Sequence, residues 1–508
     1  MTPNRLSLTK AISPHVAMPL LLKRTLHSLL LAAYLFAGSS QLALADNYNL
    51  PELGSASGTF MSPTQEKRLG QAFMRSIKAS QKIIDEPFAR DYIEKLGKTL
   101  TTASGEDSGN SFHFFIVDNP QINAFAGPGG HIGVYTGLIL TTESESELAA
   151  VVAHEIAHVT QKHLMRTFHE ASQLSVPSAA ILLASIIMGA TVGGDAAVAT
   201  AATGQAALIQ KQINFTRSNE KEADRVGINT LAQAHFETHA MPIFFERMGR
   251  KNRAYASELP EFLRTHPVTT NRIADAISRA DQFPYQQHRD NLHYHLVKSL
   301  IRQKSFSTPK VAEKYFRSNL EEGRYRNAES QQFGLALALI EQSKFSQAKQ
   351  QLNGLLKKHP QEPVFLILDS RLKAQMGELP AAIKHLEKSA NLLPDNYAIN
   401  MQLAELYIQA EQYDKAVELL QLITLLRPDD DQVYKRLAEA AGKNKDLATA
   451  HAYQADYLYL NGRLEAAIKQ LEIALRQENL DFYLASKLEA KLQNLRDEFK
   501  ILKDNKES

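Results

Sequence analysis

Beyond residue 62 the apolar positions fall at three- and four-residue intervals. Leu69, Phe73 and Ile77 share one face and Tyr92, Leu96 and Leu100 share another, which predicts two amphipathic helices. The rhythm then changes. Residues 112–117 are aromatic and β-branched, and Asp118-Asn119-Pro120 reads as a turn. Further short strands are predicted over 123–126 and 132–135, on either side of Gly127-Pro128-Gly129-Gly130. A small antiparallel meander is expected there. Ser144, with Glu147 three residues on, makes a capping box that opens the next helix.

The C-terminal part repeats itself. Pro360, Pro394 and Pro428 stand thirty-four residues apart. Ala348, Ala382, Ala416 and Ala450 keep that interval, and Ala336, Ser370, Ala404 and Ala438 form a third register twelve residues earlier. Small residues at two offsets let antiparallel helices approach closely, and a proline ends the second helix of each pair. The period is that of tetratricopeptide hairpins. At least four are predicted over residues 328–461, and Ala455 with Ala467 suggests a further one.

A chain of 508 residues exceeds a single core. The class is α+β: a mainly helical domain with a small antiparallel β-meander, then an all-α repeat solenoid. The expected plan is a signal peptide over 1–45, a Gly/Ser/Pro-rich lead-in over 46–62, a catalytic domain over 63–285, a helical connection over 286–327 and repeats over 328–505. Lys23 and Arg24, the apolar run 29–36 and Ala43-Leu44-Ala45 follow the order of a cleaved secretory signal, with processing expected after Ala45. Translation starts at Met1 or at Met18. The apolar segment 179–190 is too short for a span, so a buried or interfacial hairpin is expected, with peripheral membrane contact left open. A formal charge of +2, without basic blocks, gives no reason to expect nucleic acid. The absence of cysteine excludes disulfides, thiolate metal sites and a thiol nucleophile. Any metal must be held by histidine and carboxylate.

His154-Glu155-Ile156-Ala157-His158 lies on the helix that Ser144 opens, and histidines four apart point the same way and can grip one metal ion. Glu155 is placed to act on water beside the metal. Val152, Ile156 and Val159 are apolar on the opposite face, so the helix is expected to be buried on both sides. His163 stands one residue short of a metzincin spacing, with Gln161 where that pattern needs glycine, and is set aside. The third ligand is sought in Ser218-Asn219-Glu220-Lys221-Glu222-Ala223-Asp224, with Ser218 as a helix cap. Glu220 and Asp224 share a face there, the first to bind metal and the second to hydrogen-bond a ligating imidazole. The alternative is an acidic first turn favoured by the helix dipole, to which Glu222 is assigned.

These motifs, with Ile122-Asn123-Ala124-Phe125-Ala126-Gly127-Pro128-Gly129-Gly130, resemble the HtpX-type gluzincin metallopeptidases, and the signal and repeats resemble that family's periplasmic protease-chaperones. The resemblance implies one Zn2+ per chain on His154, His158 and Glu220, with Glu155 catalytic. It also picks out His266 in Thr265-His266-Pro267 as an inhibitory fourth ligand; Thr269-Thr270 departs from the family's loop. It implies unfolded or stalled outer-membrane proteins, and the machinery that assembles them, as partners of the repeats. Zinc would activate water and polarise the scissile carbonyl, and Glu155 would carry the proton to the leaving amine. Arg272 is the candidate oxyanion donor. The strand Asn123, Ala124, Phe125 and Ala126 is the candidate for pairing with an extended substrate. Two other readings compete: a repeat-based adaptor or chaperone on a silent protease domain, which the intact motif set disfavours, and a membrane-embedded prenyl-protein protease, which the lack of full-length spans disfavours.

Overall fold

In this computed structural model the described residues are 62–105, 112–164, 183, 217–254, 260–478 and 480–507. The signal, the lead-in up to residue 61 and the apolar segment 179–190, apart from Leu183, lie outside them. Among the described residues no helix is long and apolar enough to cross a membrane.

Two helices lead, α1 Pro63–Ser80 and α2 Pro87–Ala103. Ser62 closes a capping box with Gln65 on the first, and each has proline in its opening turn, where the missing N–H costs nothing. Strands β1 His113–Val117, β2 Ala124–Ala126 and β3 His131–Tyr135 follow where the residues predicted them. The sheet is mixed, not an antiparallel meander. Its order is β1-β3-β2, with β1 parallel to β3 and β2 antiparallel to it. The expectation assumed that consecutive strands are neighbours. β3 is buried along its whole length and takes the centre, which leaves the three-residue β2 at an edge.

α3 Thr136–Thr141 and α4 Glu145–Thr160 come next. Every α4 residue from Glu145 to His158 is buried, as an apolar stripe opposite a ligand face requires. Ser144 caps α4 by accepting from the Glu147 amide, but the expected box is only half formed. The Glu147 carboxylate accepts instead from the Glu143 amide and from both terminal nitrogens of Arg247. Four more helices follow among the described residues of this part: α5 Arg217–Gln233, α6 Ala240–Ala254, α7 Glu261–Thr265 and α8 Thr270–Ala280. Ser218 lies inside α5 and is not its cap.

The rest is helical hairpins: α9 Leu292–Lys304 with α10 Pro309–Glu322, α11 Ala328–Glu341 with α12 Phe345–Lys358, and α13 Pro363–Gln375 with α14 Leu379–Leu392. α15 Tyr397–Gln409 with α16 Tyr413–Leu426, α17 Asp431–Lys443 with α18 Leu447–Leu460, and α19 Leu464–Leu475 with α20 Phe482–Glu507 complete the array. The small residues of both registers are buried, six of the eight completely. Pro360, Pro394 and Pro428 each stand two residues past the end of α12, α14 or α16. Ala455 and Ala467 are fully buried between α18 and α19. Ser343, Gly377, Glu411 and Lys445 turn these hairpins in the left-handed region, again thirty-four residues apart. Only one of the four is glycine, so this register escapes a search for turn glycines.

Thr59–Ser508 is one compact unit, and the array is bound to the N-terminal helices by ion pairs. Arg90 on α2 meets Asp430, Lys78 on α1 meets Asp431, Arg371 meets Glu86, and Arg75 meets Glu498. Arg427 reaches Glu94 and Asp91 and lies 4.1 Å over the Tyr397 ring. The α18–α19 turn touches α1 closely: a Cβ on Gly462 would stand 2.6 Å from the Arg75 carbonyl oxygen.

Candidate metal centre

Helix α4 carries His154, Glu155 and His158, and α5 packs across it with Glu220 and Asp224 on its inner face. His266 closes the C-terminal end of α7 and enters from the third side. All six side chains are buried. His154, His158, Glu220 and His266 each offer one ligand atom, and these four atoms lie within 4.8 Å of one another.

The spacing decides what they fit. A tetrahedral zinc ion with bonds near 2.0–2.1 Å sets its ligand atoms about 3.3 Å apart. Here His154 Nε2 is 3.0 Å from His158 Nε2 and 3.3 Å from His266 Nδ1. Glu220 Oε1 is 3.1 Å from His266 Nδ1 and 3.4 Å from His158 Nε2, while its Oε2 is 3.5 Å from His154 Nε2. Each of these separations lies close to a tetrahedral edge length, with both oxygens of Glu220 turned toward the histidine nitrogens. Nitrogen and oxygen donors with no sulfur suit zinc.

The protein's own charges oppose one another here. Burial pushes the His158 imidazolium well down. Burial would push His154 down too, but hydrogen bonds to Asp224 and Glu220 outweigh it and lift His154 to about 9. Burial alone would raise Glu220, yet His266, His154 and His158 hold it well below the usual carboxylate range. Glu155 goes the other way: burial raises it, opposed by His266, His154 and the Ala126 amide. Among the described residues no side chain hydrogen-bonds either oxygen of Glu155, and Oε1 lies 3.5 Å from His266 Nε2.

Around these groups stand their supports. Asp224 Oδ1 lies 3.0 Å from His154 Nδ1. Arg272 on α8 donates through Nε and one terminal nitrogen to Asp224 at 2.8 and 2.7 Å. Its other terminal nitrogen reaches Glu220 at 2.7 Å and donates to the Pro267 carbonyl at 3.0 Å. Every nitrogen of Arg272 is thus engaged by the site's own scaffold. Thr269, the odd residue of the loop, caps α8 by accepting from the Arg272 amide. His163 and Glu222, both set aside on sequence grounds, also stand beside the cluster, His163 Nδ1 at 2.8 Å from His158 Nδ1. No periodic signal could have found His163, because it lies beyond the end of α4.

Of the candidate substrate strand, Asn123 is fully buried and precedes β2, with its carbonyl accepting from the Tyr135 amide. Ala124 and Ala126 alternate with the residues bonded to β3, so their backbone groups point to the free edge. That edge passes Glu155.

Residues 88–280 match the model of peptidase family M48, and residues 373–440 match a tetratricopeptide repeat model. With the donor set above, these define a zinc metalloendopeptidase. The β-barrel assembly-enhancing protease of Escherichia coli (strain K12) is 33% identical over 94% of this chain and 97% of its own. That of Yersinia pestis is 32% identical over 93% and 96%, and a relative in Vibrio cholerae is 34% identical over 89% and 93%. The chain belongs to the family of β-barrel assembly-enhancing proteases.

Proposed function

We propose that this chain is a periplasmic protease and chaperone of outer-membrane protein assembly, held silent at rest by His266. Its catalytic domain spans 63–285, a helical connection spans 286–327, and the hairpins of 328–505 receive partner proteins. His154, His158 and Glu220 hold one zinc ion, and zinc supplies Lewis acidity toward the scissile carbonyl and the attacking water. Glu155 takes the proton and delivers it to the leaving amine, a role suited to a carboxyl that burial has raised. Asp224 orients the His154 ring. Arg272 holds Asp224 and Glu220 in place; with its nitrogens engaged there, it is a positioning residue and not the expected oxyanion donor. An extended substrate adds to the free edge of β2 through Ala124 and Ala126, so backbone is read more than side chain. The names of the relatives and the repeat array support outer-membrane proteins, and the machinery that assembles them, as the partners.

The observation that carries this reading is His266. Its Nδ1 sits among the ligand atoms while its Nε2 lies beside Glu155, so one ring blocks both the fourth coordination position and the base. His266→Ala should keep zinc and raise casein hydrolysis, and adding Glu155→Gln should abolish the gain with zinc retained. Lower activity in His266→Ala with zinc retained would assign that ring to substrate binding instead.

A further inference from the structure

We propose that His163 and Glu222 form a proton-ordered relay that positions His158 for the metal. The inference rests on the reading of His154, His158 and Glu220 as ligands, and it concerns residues which that reading leaves unused. His158 turns Nε2 toward His154 and Glu220, 3.0 and 3.4 Å away, so this nitrogen must present its lone pair to a metal. Its proton then resides on Nδ1. That atom is 2.8 Å from His163 Nδ1, which must accept. The His163 proton is thereby placed on Nε2, 3.1 Å from Glu222 Oε2, and a carboxylate only accepts.

Every proton in the chain is fixed in one direction. The reverse order would put a proton on the metal-facing nitrogen of His158 and set the His163 Nε2 lone pair against the Glu222 carboxylate. One relay therefore selects the tautomer and the ring orientation that ligation needs. It does for His158 what Asp224, 3.0 Å from Nδ1, does for His154.

The backbone is bent to make this contact. His163 lies five residues beyond His158 and would point elsewhere on a continued helix. α4 stops at Thr160, and Lys162 adopts φ 53, a left-handed conformation uncommon for a side chain of its kind. The turn carries His163 back under His158, where it is fully buried. Glu222 comes from α5 two residues beyond Glu220, so a single helix supplies both a ligand and the relay's end. Arg225, on the same helix, lies 3.9 Å from Glu222.

The test uses the full chain. In zinc-loaded protein labelled with 15N-histidine, His158 should appear as the Nδ1–H tautomer and His163 as the Nε2–H tautomer. By chelator competition, His163→Phe should weaken zinc binding roughly 10- to 100-fold. His163→Asn, whose side-chain oxygen stands near the accepting position, should recover most of that loss. Glu222→Gln, at a half-exposed site that leaves folding intact, should weaken zinc less than His163→Phe and more than His163→Asn. A His163 ring protonated on Nδ1, or zinc affinity in Glu222→Gln and His163→Phe equal to wild type, would overturn the relay while leaving the metal centre standing. A wild-type chain that took up no zinc would instead sink the ligand reading beneath it.

Discussion

Asp430→Asn should loosen the union between the repeat array and the catalytic part. Asp430 is almost fully buried and receives Arg90 at 2.8 Å, the Tyr397 hydroxyl at 2.7 Å and the Gln432 amide at 3.1 Å. The amide oxygen of asparagine can keep the cap on α17, so the substitution removes charge more than shape. It leaves Arg90 facing a neutral partner in a site with little water. Removing one member of a buried ion pair costs about 3–5 kcal/mol. Asp431 and Glu94 still act on Arg90, which puts the expected loss at the low end, about 3 kcal/mol. Arg90→Met removes the stranded charge, so the double substitution should cost clearly less than the sum of the two singles. Urea unfolding of the four full-length proteins, followed by circular dichroism, gives the cycle. Single substitutions that cost under about 1 kcal/mol and add independently would refute the claim that this pair locks the two parts together.

Two further outcomes follow from particular residues. Gly462→Ala should lower the melting temperature more than Gly323→Ala; both glycines have positive φ, but only Gly462 would press its Cβ on the Arg75 carbonyl, and equal shifts would contradict that contact. Burial, reinforced by Arg302, holds Lys298 down at about 8, below its ordinary 10.5, so its penalty is full below pH 8. Between about pH 8 and 10.5 the unfolded chain binds a proton that the folded chain does not, and stability from this group rises with pH. Relative to Lys298→Met, wild type should gain up to about 3 kcal/mol across that window, and a constant difference would contradict the shift.

What could be read in advance was local or periodic. His154 and His158 are joined by one helical turn, Glu220 and Asp224 by another, and the buried alanines by a period of thirty-four residues. The strand positions were legible for the same reason, but their order was not, because which strand takes the centre depends on packing across the sheet. Arg272 could be singled out only by its nearness to His266, and its true partners lie forty-eight and fifty-two positions back on α5. His163 was set aside because it misses a metzincin spacing, a test for a metal ligand that says nothing of a residue which the left-handed turn at Lys162 carries back to the Nδ1 side of His158. The contacts between Arg90 and Asp430 span 340 positions and leave no pattern in the chain. The helical connection expected over 286–327 therefore gave no sign of how tightly the two parts are joined.

The central claim is a zinc ion held by His154, His158 and Glu220 with His266 in the fourth position. Zinc K-edge X-ray absorption on the full chain, wild type beside His266→Ala, tests it most directly. The account predicts four nitrogen and oxygen neighbours at about 2.0–2.1 Å in wild type, with outer-shell scattering from three imidazoles. In His266→Ala the imidazole count should fall to two while zinc remains bound. Identical spectra from the two proteins would contradict it.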